Sequence, residues 1–120
     1  MDDQQAFIEN GRTMPSPLVR WQRFTSRLAT RPYGPWPDDY SFELSWRVRL
    51  QESLNSEPDK RLARDVADAD SVFLEATFEW KPSPLRRYYR VTDDWWWLRI
   101  PKLGDLAARL RRDDEQYGPD

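Results

Sequence analysis

Residues 72–100, VFLEATFEWKPSPLRRYYRVTDDWWWLRI, decide how this chain is read. Val72, Leu74, Ala76, Phe78 and Trp80 recur at every second position, the period of a half-buried strand over 72–80. Lys81-Pro82-Ser83-Pro84 breaks it, a third strand is predicted over 85–92, Asp93-Asp94 reads as a turn, and a fourth strand runs over 95–100. A slip of one residue reverses every side chain, so the two turns test each other. Setting Trp80 opposite Leu85 puts Ala76 opposite Tyr89 and Leu74 opposite Val91. Setting Thr92 opposite Trp95 puts Val91 opposite Trp96, Tyr89 opposite Leu98 and Arg87 opposite Ile100. Both closures send Leu74, Ala76, Phe78, Trp80, Leu85, Tyr89, Val91, Trp96, Leu98 and Ile100 to one face, the expected core, which predicts a three-stranded antiparallel meander.

Working outward, Tyr40, Phe42, Leu44, Trp46, Val48 and Leu50 alternate strictly with Ser41, Glu43, Ser45, Arg47 and Arg49, a further strand. Ser16-Pro17 is a helix start, and Leu18, Trp21, Phe24 and Leu28 recur at helical spacing to about Ala29. Residues 32–37 hold four breakers and read as a rigid loop of polyproline character carrying Tyr33 and Trp36. Leu62 and Val66 suggest a short helix over 58–68, with a mobile excursion as the alternative, and Leu103, Leu106 and Leu110 suggest a terminal helix. The expected fold class is α+β: a four-stranded, mainly antiparallel sheet (the meander plus 40–50) with the N- and C-terminal helices packed on one face. Residues 1–15 are expected to form a flexible tail, 16–112 a single domain, and 113–120 an acidic tail.

A chain of 120 residues fits one such domain. It has no Cys and no His, which excludes disulfides, thiolate metal sites, and the commonest general base and metal ligand. No metal or cofactor is therefore expected. No apolar run is long enough to span a bilayer, and the acidic start Met1-Asp2-Asp3 is unlike a secretory signal, so a cytoplasmic location without membrane contact is expected. Lys occurs only at positions 60, 81 and 102, and the Arg excess suits a GC-rich bacterial or phage genome. Seven Trp in a chain one-third charged must mostly be buried or matched.

Function is expected on the outer face of the meander. There Glu75 would meet Arg90, Arg90 would meet Trp97, Tyr88 would meet Arg99, and Glu79 would meet Arg86. Tyr88, Arg90, Trp95, Trp97, Arg99 and Arg86 are therefore the candidate partner-binding residues, being the residue types that dominate interface hot spots. The secondary candidates are Arg20, Arg23, Arg27 and Arg31, the wet stripe of the first helix, with Tyr33 and Trp36 of the proline-rich loop. No catalytic constellation stands out. The expected function is a non-enzymatic, protein-binding accessory factor (an adaptor, inhibitor or immunity-type protein), with self-association among the possible modes. The alternative is a nucleic-acid-binding module stacking bases on the same face, which a net charge of −2 disfavours. A weaker alternative is a Mg-dependent nuclease built on Pro37-Asp38 and Glu79-x-Lys81.

Overall fold

A computed structural model describes residues 6–9 and 12–117, with side chains described from Ser16 to Gln116. Strands β1 (Ala6–Glu9) and β2 (Arg12–Pro15) pair antiparallel, with Phe7 opposite Met14. The expected tail over 1–15 falls partly on residues 1–5, 10 and 11, and the expected acidic tail partly on 118–120, all outside the described residues. Four helices follow: α1 (Pro17–Thr30), α2 (Pro37–Ser56), α3 (Lys60–Ala76) and, near the C-terminus, α4 (Leu106–Tyr117). Between α3 and α4 lie β3 (Thr77–Glu79), 3-10 turns at Pro84–Arg87 and Trp95–Leu98, and β4 (Arg99–Pro101).

The first helix forms as its sequence dictates. Ser16 caps it, its Oγ accepting from the Val19 amide at 3.3 Å, and Pro17 fills the first position. Leu18, Trp21, Phe24 and Leu28 are buried along one stripe. Trp21 packs on Phe73 of α3 with ring centroids 5.1 Å apart, and Phe24 on Tyr40 of α2 at 5.8 Å. Each such ring, fully buried, contributes about 1.5–3 kcal/mol.

The four-stranded sheet is overturned: among the described residues the fold is mostly helical, and each sheet has only two strands. Residues 40–50 lie within α2. Pro37 at its first turn shares the proline of the Ser16-Pro17 start, and Asp38 and Asp39 in the first turn favour the positive end of the dipole in place of a side-chain cap. Its buried positions Tyr40, Leu44 and Arg47 follow helical spacing, and Phe42, which alternation would bury, is 54% exposed. Burial of Arg47 hides this pattern in the sequence, because a guanidinium breaks the apolar stripe that marks a helix face.

In α3 the short helix expected over 58–68 continues to Ala76. Asp59 caps it, Oδ1 accepting from the amides of Arg61 at 2.9 Å and Leu62 at 3.1 Å. Leu62, Val66, Ala69, Phe73 and Ala76 then repeat at four and three residues, the seam of a helix packed on α1. The expected strand 72–80 is cut to Thr77–Glu79, and Leu74 points to solvent. The expected third strand is replaced by a 3-10 turn and loop, and the fourth by a 3-10 turn leading into β4. The register differs accordingly: β3 pairs directly with β4, Phe78 opposite Ile100. Trp96 and Trp97 are both buried, which a half-buried strand cannot achieve because successive side chains leave on opposite faces.

A polar tie crosses this core. Arg47 donates from Nε to Asp70 Oδ1 and from Nη2 to Oδ2, each at 2.9 Å, while the Trp21 indole donates to Asp70 Oδ1 at 2.9 Å. The Arg47 guanidinium also lies 4.6 Å from the ring centre of Trp96. Three helices and the second 3-10 turn thus meet at one ion pair, satisfied bidentately as a buried pair must be.

Candidate partner-binding site at the proline-rich loop

Residues 31–36 link α1 to α2 and are fastened by the segment that leads into α4. The Tyr33 amide donates to the Leu103 carbonyl at 3.1 Å, and the Asp105 amide donates to the Tyr33 carbonyl at 2.9 Å. Gly104 makes this approach possible. It has φ +101°, and a Cβ there would lie 2.0 Å from the Tyr33 oxygen. Arg109, held by Asp113 at 3.1 Å, donates from Nη1 to the Pro35 carbonyl at 3.3 Å. The Trp36 amide closes back on the Gly34 carbonyl at 2.9 Å. Its indole lies over Gly34, where a Cβ would come within 2.3 Å of Nε1.

The indole so held is 56% exposed. It borders a cleft of about 200 Å³ together with Asp38 and Asp39 of α2, Tyr88 after the first 3-10 turn, and Arg109 of α4. Next to Tyr88, Tyr89 is 45% exposed and stacks on Trp97 at 5.5 Å, its ring fixed from beneath. The site presents aromatic faces, an arginine and two carboxylates on restrained backbone. Beneath the loop, Tyr33 packs edge-on against Tyr40 at 5.4 Å, and burial, with help from Asp39 and Glu43, raises its hydroxyl above the ordinary tyrosine range.

Of the residues singled out from sequence, this cleft unites Tyr88 and Trp36, with Tyr33 beneath the loop. The others fall elsewhere. Trp97, expected to face solvent opposite Arg90, is only 2% exposed, because the meander that turned it outward does not form. Trp95 is half-buried against Phe73 at 5.9 Å. Arg99 is occupied with the Thr77 hydroxyl at 2.8 Å and carbonyl at 2.9 Å, and Arg86 with the Ser83 carbonyl at 2.6 Å. Arg90 is exposed. Arg20 lies 4.8 Å over the Trp46 ring, and Arg23, Arg27 and Arg31 line the outer side of α1. The sheet face on which base stacking was expected is therefore absent among the described residues. Glu79 and Lys81 pair with each other at 3.5 Å, and no three metal-ligating side chains cluster among the described residues.

Sequence reading missed Tyr89, which it assigned to the core, and the role of Arg109 and Gly104 in holding the loop. The glycine's position two residues before a helix carried the only signal. A larger cleft of about 570 Å³ opens between the start of α1 and the α2–α3 turn. Its floor is core (Leu18, Leu50 and Leu62), and its rim mixes Arg49 with Glu57 and Asp59. No described helix is long and apolar enough to cross a membrane. No protein-family model matches the chain, no curated protein matches its sequence, and no solved structure matches its fold.

Proposed function

We propose that this chain is a non-enzymatic, protein-binding accessory factor whose contact site is the proline-rich loop and the cleft beside it. The observation that carries the reading is Trp36: a tryptophan more than half exposed on backbone fastened at Tyr33, Pro35 and Trp36. An indole already fixed loses little conformational freedom on binding, so its burial by a partner translates more fully into affinity. Trp, Tyr and Arg, the types most enriched in hot spots, meet here as Trp36, Tyr88 and Arg109. Phe42 is also exposed, at 54%, but it stands on the solvent face of α2, where it packs edge-on against Trp46, and nothing fastens the backbone there beyond the helix itself.

Affinity capture from the native cell, run in parallel with wild type, Trp36→Ala and Phe42→Ala, tests the assignment. The expected result is a protein partner retained by wild type and Phe42→Ala, with affinity for Trp36→Ala lower by about 30-fold, a hot-spot loss of about 2 kcal/mol. Equal retention of every captured protein by Trp36→Ala removes the loop from the contact surface.

A further inference from the structure

Charge is distributed unevenly across the outer surface of α1. Residues 16–37 contain four arginines and no other charged side chain, so this segment stands at +4 in a chain of −2 and leaves the rest at −6. The exposed ridge of α1 is uncharged: Gln22, Ser26 and Thr30 succeed each other at four-residue steps. On one side of that ridge lie Arg23, Arg27 and Arg31. On the other, across the groove between α1 and α3, lie Asp65 and Asp68. Both flanks share the ridge residues Gln22, Ser26 and Thr30, so basic and acidic groups are separated by one helix width. Among the described residues none of these three arginines and two aspartates forms an ion pair within the chain, although Arg27 is within electrostatic reach of Glu43 of α2. They stand in contrast to Arg47, Arg87 and Arg109, each paired with a carboxylate of its own chain.

We infer that this face is self-complementary and that a second copy of the chain occupies it, α1 against α1. A two-fold axis lying in the contact plane and parallel to α1 carries the basic flank of one copy onto the acidic flank of the other. The alternative two-fold, perpendicular to α1, sets arginine on arginine and is disfavoured by like charge. Small side chains at the crossing, Ser26 with Ala29 beside it, allow the two helices to approach. Ion pairs at a rim are individually weak and screened by salt, so the dimer is a transient, ionic-strength-dependent one. The surface differs from the Trp36 cleft, and its test does not depend on that assignment.

Sedimentation equilibrium of the full chain at low salt and at about 500 mM salt reads the association directly. The expected wild-type result is a monomer–dimer equilibrium whose Kd rises about tenfold or more with salt. Arg23→Glu with Arg27→Glu, and separately Asp65→Lys with Asp68→Lys, each abolish the homodimer, since each gives both flanks one sign. Mixing the two variants restores a 1:1 dimer, because the reversed flanks are again opposite. Circular dichroism of each variant checks its helices; should one fail to fold, Arg27→Gln and Asp65→Asn, each expected to raise Kd by about threefold or more, take its place. A wild-type chain that stays monomeric at about 1 mM in low salt, a dimer indifferent to salt, or folded variants that fail to pair on mixing overturns the inference.

Discussion

Two short segments of this molecule carry indoles on restrained, largely non-helical backbone, and they meet opposite fates. In the turn at Trp95–Leu98, Trp96 and Trp97 are each 2% exposed; in the loop before α2, Trp36 is 56% exposed. Both are tied by long-range hydrogen bonds, Ser83 to the Trp97 carbonyl in one case and Arg109 to the Pro35 carbonyl in the other. What separates them is cover. The tryptophan turn is packed against α2 and the Arg47–Asp70 tie, whereas the loop is fastened from below and left bare above. Restrained backbone thus goes with a buried indole in one place and an exposed one in the other, and the exposed one is where contact is proposed.

The sharpest way to break this contrast is to strike the tie beneath the tryptophan turn. Asp70→Ala leaves the Arg47 guanidinium buried without its carboxylate and removes the acceptor of the Trp21 indole. A loss of about 3–5 kcal/mol in urea unfolding is expected. Trp97→Ala follows closely, at about 3–5 kcal/mol, as truncation of a buried ring. Gly104→Ala attacks the display loop through its fastening, forcing a Cβ against the Tyr33 backbone at positive φ. A cost of about 1–3 kcal/mol is expected by the same measurement. Trp36→Ala should cost less than about 1 kcal/mol, since its indole mostly faces water. If Trp36→Ala proves as damaging as Trp97→Ala, the loop is core and the contrast collapses.

The smallest effect concerns pH. Burial raises the Glu43 carboxyl above its ordinary 4.5, with Arg27 and Arg20 pulling partly the other way. The folded chain therefore holds this proton more tightly than the unfolded chain. Its contribution to stability is complete below about 4.5 and is lost as pH rises through the elevated folded value. Glu43→Gln is expected to match wild type at acid pH and to exceed it at neutral pH by about 0.5 kcal/mol or less, the side chain being half-exposed and screened. Melting curves across pH 4 to 7 check the sign.

How far the fold could be read ahead varies by element, for identifiable reasons. α1 was legible because Ser16, Pro17 and the stripe from Leu18 to Leu28 agree. In α2 a starting proline at Pro37 was present, but alternation from Tyr40 to Leu50 outweighed it, and nothing local reveals that Arg47 is buried by an aspartate 23 residues away. In α3 both periods coexist: Leu62, Val66, Ala69 and Phe73 follow the helix, while Val72, Leu74 and Ala76 imitate a strand. The hairpin registers agreed with each other because any run of evenly spaced apolar residues meets such a test; consistency between two turns did not make either turn real. Of the site, Trp36 and Tyr88 could be named as residue types suited to contact, but their meeting depends on a clamp from a segment some 70 residues away, which no local pattern encodes.

That clamp also bears on the order in which the protein can become competent during synthesis. Ribosomal growth makes α1, the loop, α2 and α3 first, and by then the pieces of the aromatic cluster of Trp21, Phe24, Tyr40 and Phe73 all exist. Leu103, Gly104 and Arg109, which fasten the loop backbone at Tyr33 and Pro35, are made after all of these. A nascent chain can therefore assemble much of its interior before the segment that fastens the Trp36 loop exists, and the contact site proposed there is complete only after residues 103–109 have been made.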